Sequence, residues 1–428
     1  MSLVTGLPSA GSNGHVTFFV TIAMVLATAW LALYLSGPEV VENALSDRQP
    51  DTEINVALVE TGGSHDEVTA ALYYALASVP GVSTTMYLAK PRFGIENVYA
   101  WIQRRYKLTP YSIARPYEFQ SHDTPLPDTI VLASCEHDVY VVDSALDNNF
   151  ESGSKKQTLV CVMHHIDRFQ AVEERVRRWA RVGRLRFLTL SPHTANALRK
   201  EIDTFDPILY TKVTIDAFPP VFPVPLDPGT TNTERLSIAM QGNFEDSRRD
   251  YLKTLLEFER MIDELPEPIV RRIQFILAGD GKKVGVPGKV MPYVSVNFSL
   301  DYIPYYNLLH ASFALIPAFA DEAYYKTKAS SSIPASFIAG SPVVGSKQLL
   351  ESYGYLSPES TWQTKSAEGS EMAAIYELLR RHFDDNGLER SSWKHVVEEK
   401  KRAVRTRALE LMAENTDLMR EILKKKGS

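Results

Sequence analysis

Short apolar runs that alternate with helical periodicity along most of this 428-residue chain constrain its fold more than any other feature. Ile54–Glu60 reads INVALVE, the kind of run that suits a strand covered on both faces. Helical spacing continues over Asp66–Ala77. Further strand-like runs fall at Thr84–Leu88, Thr129–Ala133, Leu159–Met163 and Phe187–Leu190, with helical periodicity at Glu96–Tyr106 and Phe169–Val182. Pro219–Glu234 then breaks the pattern, because its prolines forbid regular structure and leave an extended, loop-like linker. The alternation restarts with strands at Leu236–Met240, Ile273–Ala278, Phe313–Ile316 and Pro342–Val344. Helices are expected between them at Tyr251–Leu265, Tyr302–His310 and Ser332–Ala339. Such alternation predicts an α/β protein with two tandem doubly wound sheets, over 53–218 and 235–385, hinged at 219–234. The tail from Ser392 to Lys426 reads as a long charged helix broken once or twice.

Ahead of this body, Val16–Leu35 carries no charge. Twenty helical residues span roughly 30 Å, the thickness of a bilayer core. Trp30 and Tyr34 suit the interface, and Gly37 and Pro38 stop the helix. A cleaved signal peptide fits less well, since no Lys or Arg precedes Arg48. The expected plan is a tail at 1–15, a transmembrane anchor at 16–36 and a stem at 37–52. Glu39, Glu42 and Asp47 come after the anchor, which favours a single-pass type II protein of Golgi or ER with its body in the lumen. The sequon Asn297-Phe298-Ser299 is compatible with that orientation. A hydrophobic content of 44% with 23% charged residues describes a globular chain, and a net charge of −6 counts against nucleic acid as a partner. Cys135 and Cys161 read as two buried thiols rather than a bridge.

In open α/β sheets ligands bind beyond the carboxyl ends of the strands, so the residues just after each strand are the candidates. Gly62 and Gly63 form a tight turn before Ser64, His65 and a helix opening with Asp66-Glu67. His65 there is a candidate general base, with Ser64 or Asp66 as plain helix caps the alternative. His164 and His165 precede Asp167 and can orient a substrate or move a proton; no matched further ligand points to a metal. Glu136-His137-Asp138 is a weaker candidate of the same kind. Gly242 opens a loop carrying Arg248 and Arg249, whose guanidinium forks suit phosphate oxygens. Gly279-Asp280-Gly281 reads as a plain turn, since it lacks the P-loop spacing. Lys326, Lys328, Ser330, Ser331 and Ser332 gather two cations and three hydroxyls at a helix start, where free N–H groups hold anions.

Taken together these segments resemble a GT-B glycosyltransferase of the family-four and family-one group over roughly residues 53–425. The likeness rests on Leu188–Thr194, on Gly242-Asn243, on Ile273–Gly281 (IQFILAGDG), on Asp301–Pro317, and most specifically on Ile338-Ala339-Gly340-Ser341-Pro342-Val343-Val344. It implies two Rossmann-like domains facing across a cleft, with 386–428 packing back on the first. It implies a nucleotide sugar, of UDP or GDP, bound mainly by the second domain, with no tightly held cofactor. Arg248 falls near the family's diphosphate-binding position, and His164 or His165 suits contact with the transferred sugar. The family's E-x₇-E glutamates, which hold ribose and donor sugar, fall at Thr327 and Ala335 and are absent.

The resulting expectation is a membrane-anchored, metal-independent glycosyltransferase acting on a glycan, glycoprotein or lipid. His65, His164 and His165 form its catalytic set, while Gly242, Arg248, Arg249, Lys326, Lys328 and Ser330–Ser332 hold the donor. The missing glutamates motivate an alternative, a GT-B-like binding or scaffold protein without turnover. A nucleotide-dependent oxidoreductase lacks its glycine fingerprint.

Overall fold

The computed structural model describes residues 54–120, 126–151, 157–206, 209–228, 235–282, 284–365 and 369–424. The expected anchor at 16–36 lies outside them; among the described residues no helix is long and apolar enough to cross a membrane. Glu53–Ser428 forms one compact unit.

Two fully parallel sheets organise that unit. The first contains β1 (Ile54–Glu60), β2 (Val82–Leu88), β3 (Tyr111–Ala114), β4 (Thr129–Leu132), β5 (Thr158–Met163), β6 (Leu185–Thr189) and β7 (Thr214–Ala217), in the order β3-β2-β1-β4-β5-β6-β7. The second contains β8 (Leu236–Gln241), β9 (Ile273–Gly279), β10 (Val294–Phe298), β11 (Ala314–Leu315), β12 (Val343–Gly345) and β13 (Thr361–Gln363), in the order β10-β9-β8-β11-β12-β13. Strand order therefore reverses beside β1 in one sheet and beside β8 in the other. Those are the switch points at which helices leave opposite faces and a crevice opens. The central strands are apolar because both faces are covered: all four residues of β4 and all six of β8 are buried.

Seven of the helices carry or brace the cleft: α1 (Asp66–Ala77), α2 (Ile95–Tyr106), α3 (Cys135–Val141), α4 (Pro192–Phe205), α5 (Tyr302–Ala311), α6 (Ser332–Ala339) and α7 (Trp393–Lys424). Helix α7 is unbroken, where the sequence suggested one or two interruptions. Nothing between Trp393 and Lys424 is Pro or Gly, and its buried residues Val397, Lys401, Val404, Ala408, Leu411, Asn415, Met419 and Ile422 recur every three or four positions. That stripe completes a core shared by both sheets, in which Leu72 and Leu76 of α1, Phe337 of α6 and Leu411 and Met419 of α7 belong to one cluster. The connection after β7 is extended as expected, yet it is part of this core: Phe218 and Phe222 are almost wholly buried.

The two cysteines are bridged, contrary to the expectation of free thiols. Register explains it. Leu132 of β4 pairs with Cys161 of β5, and Cys135 opens α3 just beyond β4, which sets the two Cα atoms 5.1 Å apart. That separation is within the span of a disulfide.

Candidate active site

The cleft between the sheets is built on the first side by carboxylates that hold backbone. Glu60 ends β1 and accepts from the N–H groups of Gly62 (3.1 Å), Gly63 (2.8 Å) and Ser64 (3.3 Å). Burial pushes its carboxyl above the ordinary range, and nearby Asp138 adds to the effect. Asp138 accepts from the N–H groups of Thr61 (2.8 Å) and Ser134 (2.7 Å). Glu136 accepts from the N–H groups of both His164 and His165. These anchors bring the histidines of two strand ends together, so that the rings of His65 and His164 lie 4.0 Å apart. Burial, reinforced by His164 and His165, drives His65 well below the usual histidine range. Burial and then Arg168 take His165 down to about 4. His65 and His165 are therefore neutral imidazoles near pH 7, each with one N–H to donate.

On the second side the loop after β8 turns back on itself. Gly242 has φ +128°, and a Cβ on Gly279 would fall 1.8 Å from the Gly242 carbonyl oxygen, so both strand ends require glycine. The close approach lets Arg249 fold inward. It donates to Ser332 Oγ (2.8 Å), Ser330 Oγ (3.1 Å) and the Arg248 carbonyl (3.1 Å), and lies 5.6 Å from the rings of Phe319 and Tyr324. Gln241 donates to Ser332 Oγ (3.1 Å) and accepts from the Tyr305 hydroxyl (2.6 Å). This network fixes the start of α6, where the Ser332 N–H donates to Ser330 Oγ (3.2 Å) and the hydroxyls of Ser330 and Ser331 come to the cleft. Arg248 reaches Glu245 at 3.0 Å and stays half-exposed, while Lys328 stands 3.9 Å from Asp321.

A cavity of about 240 Å³ brings together His65, His164, His165, Gly242, Arg248, Arg249, Lys328, Ser330 and Ser331. Four other expected residues stand apart from it. Lys326 is exposed and pairs with Glu322 at 2.8 Å. Ser332 is buried behind Arg249, and Gly62 and Gly63 shape the turn that presents His65. Sequence reasoning assigns no role to Glu67, Gln241, Asp280 or Tyr305, all of which line the cavity. Asp280 comes just after a strand end, a signal that is present in the sequence but reads as a plain turn; it pairs with Arg92 of the first domain at 2.7 Å. Other contacts across the cleft are the Tyr306 hydroxyl on Glu67 (2.6 Å) and His193, whose ring nitrogens lie 3.0 Å from the carbonyls of Lys328 and Ser352.

No protein-family profile and no curated protein matches the sequence. Solved structures do match in shape. Anabaena Alr3699/HepE, solved in complex with UDP and glucose, superposes with a TM-score of 0.55 at 10% identity, over 86% of this chain and 99% of that one. The UDP-forming α,α-trehalose-phosphate synthase from Burkholderia xenovorans gives 0.52 at 10% identity, over 88% and 100%. Sucrose-phosphate synthase from Thermosynechococcus elongatus gives 0.51 at 11% identity, over 86% and 98%. With two parallel sheets opposed across one cleft, and with these structures matched over nearly their whole length, the chain adopts the GT-B fold.

Proposed function

We propose that this protein is a glycosyltransferase that moves a sugar from a UDP- or GDP-sugar to a glycan, glycoprotein or lipid acceptor. One observation carries the reading: Arg248, Lys328, Ser330 and Ser331 converge on the cavity that also holds His65, His164 and His165. The complexes of HepE with UDP-glucose and with UDP and glucose support the choice of ligand. Arg248, Lys328 and the hydroxyls of Ser330 and Ser331 bind the diphosphate and stabilise it as it leaves, so the transfer is metal-independent. Neutral His65 and His165 donate hydrogen bonds that orient the sugar and acceptor, and His164, held at Nε2 by the Ala133 carbonyl (2.7 Å), packs against His65. The nucleotide sugar is a substrate, and no cofactor is tightly held. Residues 16–36 anchor the enzyme as a type II protein of Golgi or ER, and the Cys135–Cys161 bridge, stable in an oxidising lumen, supports that compartment.

A thermal-shift screen of the full chain in detergent against UDP- and GDP-sugars tests the reading. One donor is expected to stabilise the protein, and Arg248→Ala and Lys328→Ala each to weaken it by about tenfold, the scale of one charged hydrogen bond. Unchanged affinity in both variants would refute the phosphate assignment. Binding without transfer or hydrolysis would favour the scaffold alternative, which the absence of carboxylates at Thr327 and Ala335 motivates.

A further inference from the structure

We propose that Glu67 is the general base of this transfer and that the reaction inverts the anomeric carbon of the donor sugar. The inference rests on the glycosyltransferase reading and adds the proton acceptor and the stereochemistry. Two carboxylates line the cavity, Glu67 and Asp280. Asp280 is committed to Arg92 at 2.7 Å and to the Ser299 hydroxyl at 2.8 Å. Glu67 makes no ion pair among the described residues. Its one hydrogen bond among them comes from the hydroxyl of Tyr306, 2.6 Å from Oε1. Tyr306 is itself fully buried, with Phe222, Tyr302 and Tyr305 around its ring. The carboxylate is thus held at one oxygen, while Oε2 has no hydrogen bond among the described residues.

Placement decides the role. Glu67 lines the cavity from the first domain, whereas the cations and hydroxyls assigned to the leaving diphosphate line it from the second. The second domain has threonine and alanine at 327 and 335, so its own side offers no carboxylate at those positions to steady the sugar for transfer with retention. His65 and His165 are poorer proton acceptors, since burial and neighbouring cationic groups favour their neutral forms, and His164 Nε2 is turned to the Ala133 carbonyl at 2.7 Å. Burial acts oppositely on Glu67 and raises its affinity for a proton. The step balances in one displacement. The acceptor hydroxyl gives its proton to Glu67 Oε2 as its oxygen bonds to the anomeric carbon from the face opposite the diphosphate. The carbon–oxygen bond to the diphosphate breaks, and its electron pair leaves on the phosphate oxygen, stabilised by Arg248 and Lys328. Glu67 then returns the proton to solvent.

The ionisable groups coupled to Glu67 are Asp66 beside it and Tyr302, Tyr305 and Tyr306 on α5. The tyrosines are all raised well above their ordinary value, so Asp66, pushed up to about 7 by burial, is the neighbour that titrates near neutrality. The Tyr306 hydroxyl favours the ionised form of Glu67.

The experiment uses the full chain in detergent with the donor found by thermal shift, and reads product configuration by NMR, donor affinity, and kcat against pH. Wild type is expected to give the inverted anomer. Glu67→Gln should lose about 100-fold or more in kcat while binding donor as before. Tyr306→Phe should move the acidic limb of the profile to higher pH, a shift that a merely structural contact would not produce. A retained anomer overturns the inference, whatever the variants do, and so does wild-type turnover in Glu67→Gln or an unmoved limb in Tyr306→Phe. Each of those outcomes leaves donor binding by Arg248 and Lys328 intact. A wild-type chain that binds no donor overturns both readings.

Discussion

Lys326 and Lys328 differ by two positions and have different fates. Both come after the 3₁₀ turn at Glu322–Tyr325; one extends into solvent to meet Glu322, and the other lines the cavity. Residue type alone does not separate them, because the separation comes from which way a short turn aims each side chain. Glu371 is the converse case, a residue whose chemistry is set wholly by what covers it. Its carboxylate accepts from the Ala318 N–H at 3.1 Å, and burial raises its pKa to about 8. The sign of the linkage is set by that direction. As pH rises from the ordinary carboxylate value of 4.5 towards about 8, the unfolded chain releases this proton while the native one keeps it, so stability falls across that window. Glu371→Gln removes the titration and keeps an acceptor for Ala318. It is expected to be more stable than wild type by on the order of a few kcal/mol at pH 9 and little changed near pH 4, measured by urea unfolding.

At the scale of elements, the close approach of the β8 and β9 ends is the tightest feature of the site. Gly279→Ala places a methyl against the Gly242 carbonyl, which is backbone and has little room to yield. A loss of about 1–3 kcal/mol in denaturant unfolding is expected, together with weaker donor binding as the turn carrying Arg248 shifts. Elements with both faces covered are legible in the sequence. Ile54–Glu60, Asp66–Ala77 and Ser332–Ala339 have the bounds that their apolar patterns predict. The strands β3, β7, β10 and β13 are not. Each closes one edge of a sheet or has only three to five residues with exposed or half-buried positions, so no continuous apolar run marks it. Contacts between strands are equally hidden. The Cys135–Cys161 bridge depends on the register of β4 against β5, and the Glu136 contact to His164 and His165 on the same neighbourhood. Sequence spacing of 26 residues carries no trace of either.

Across the whole molecule the two sheets are tied by paired side chains at the cleft and by a common core beneath it. Arg92 to Asp280, Tyr306 to Glu67 and the two carbonyl contacts of His193 span the opening. Helix α7 spans the rest. At about 1.5 Å per residue its 32 residues extend about 48 Å. Lys401 donates to the carbonyl of His310 at the end of α5, and Leu411 and Met419 pack in the core that includes α1. A chain ending at residue 392 is expected to expose ANS-binding surface and to lose cooperative thermal unfolding in both domains, not in the second alone. A scan showing one domain still melting cooperatively would contradict that shared core.

The position of α7 has a consequence for the order in which the protein is made. Helix α1 ends at Ala77, whereas α7, which packs on it, begins only at Trp393, after both sheets have been synthesised. Until α7 emerges from the ribosome, the first domain carries an apolar face that no earlier segment covers, so its final packing waits for the second domain to be complete. The earliest-made residues of this body are thus among the last to settle, and the apolar surface they leave open in the meantime is the kind that favours aggregation.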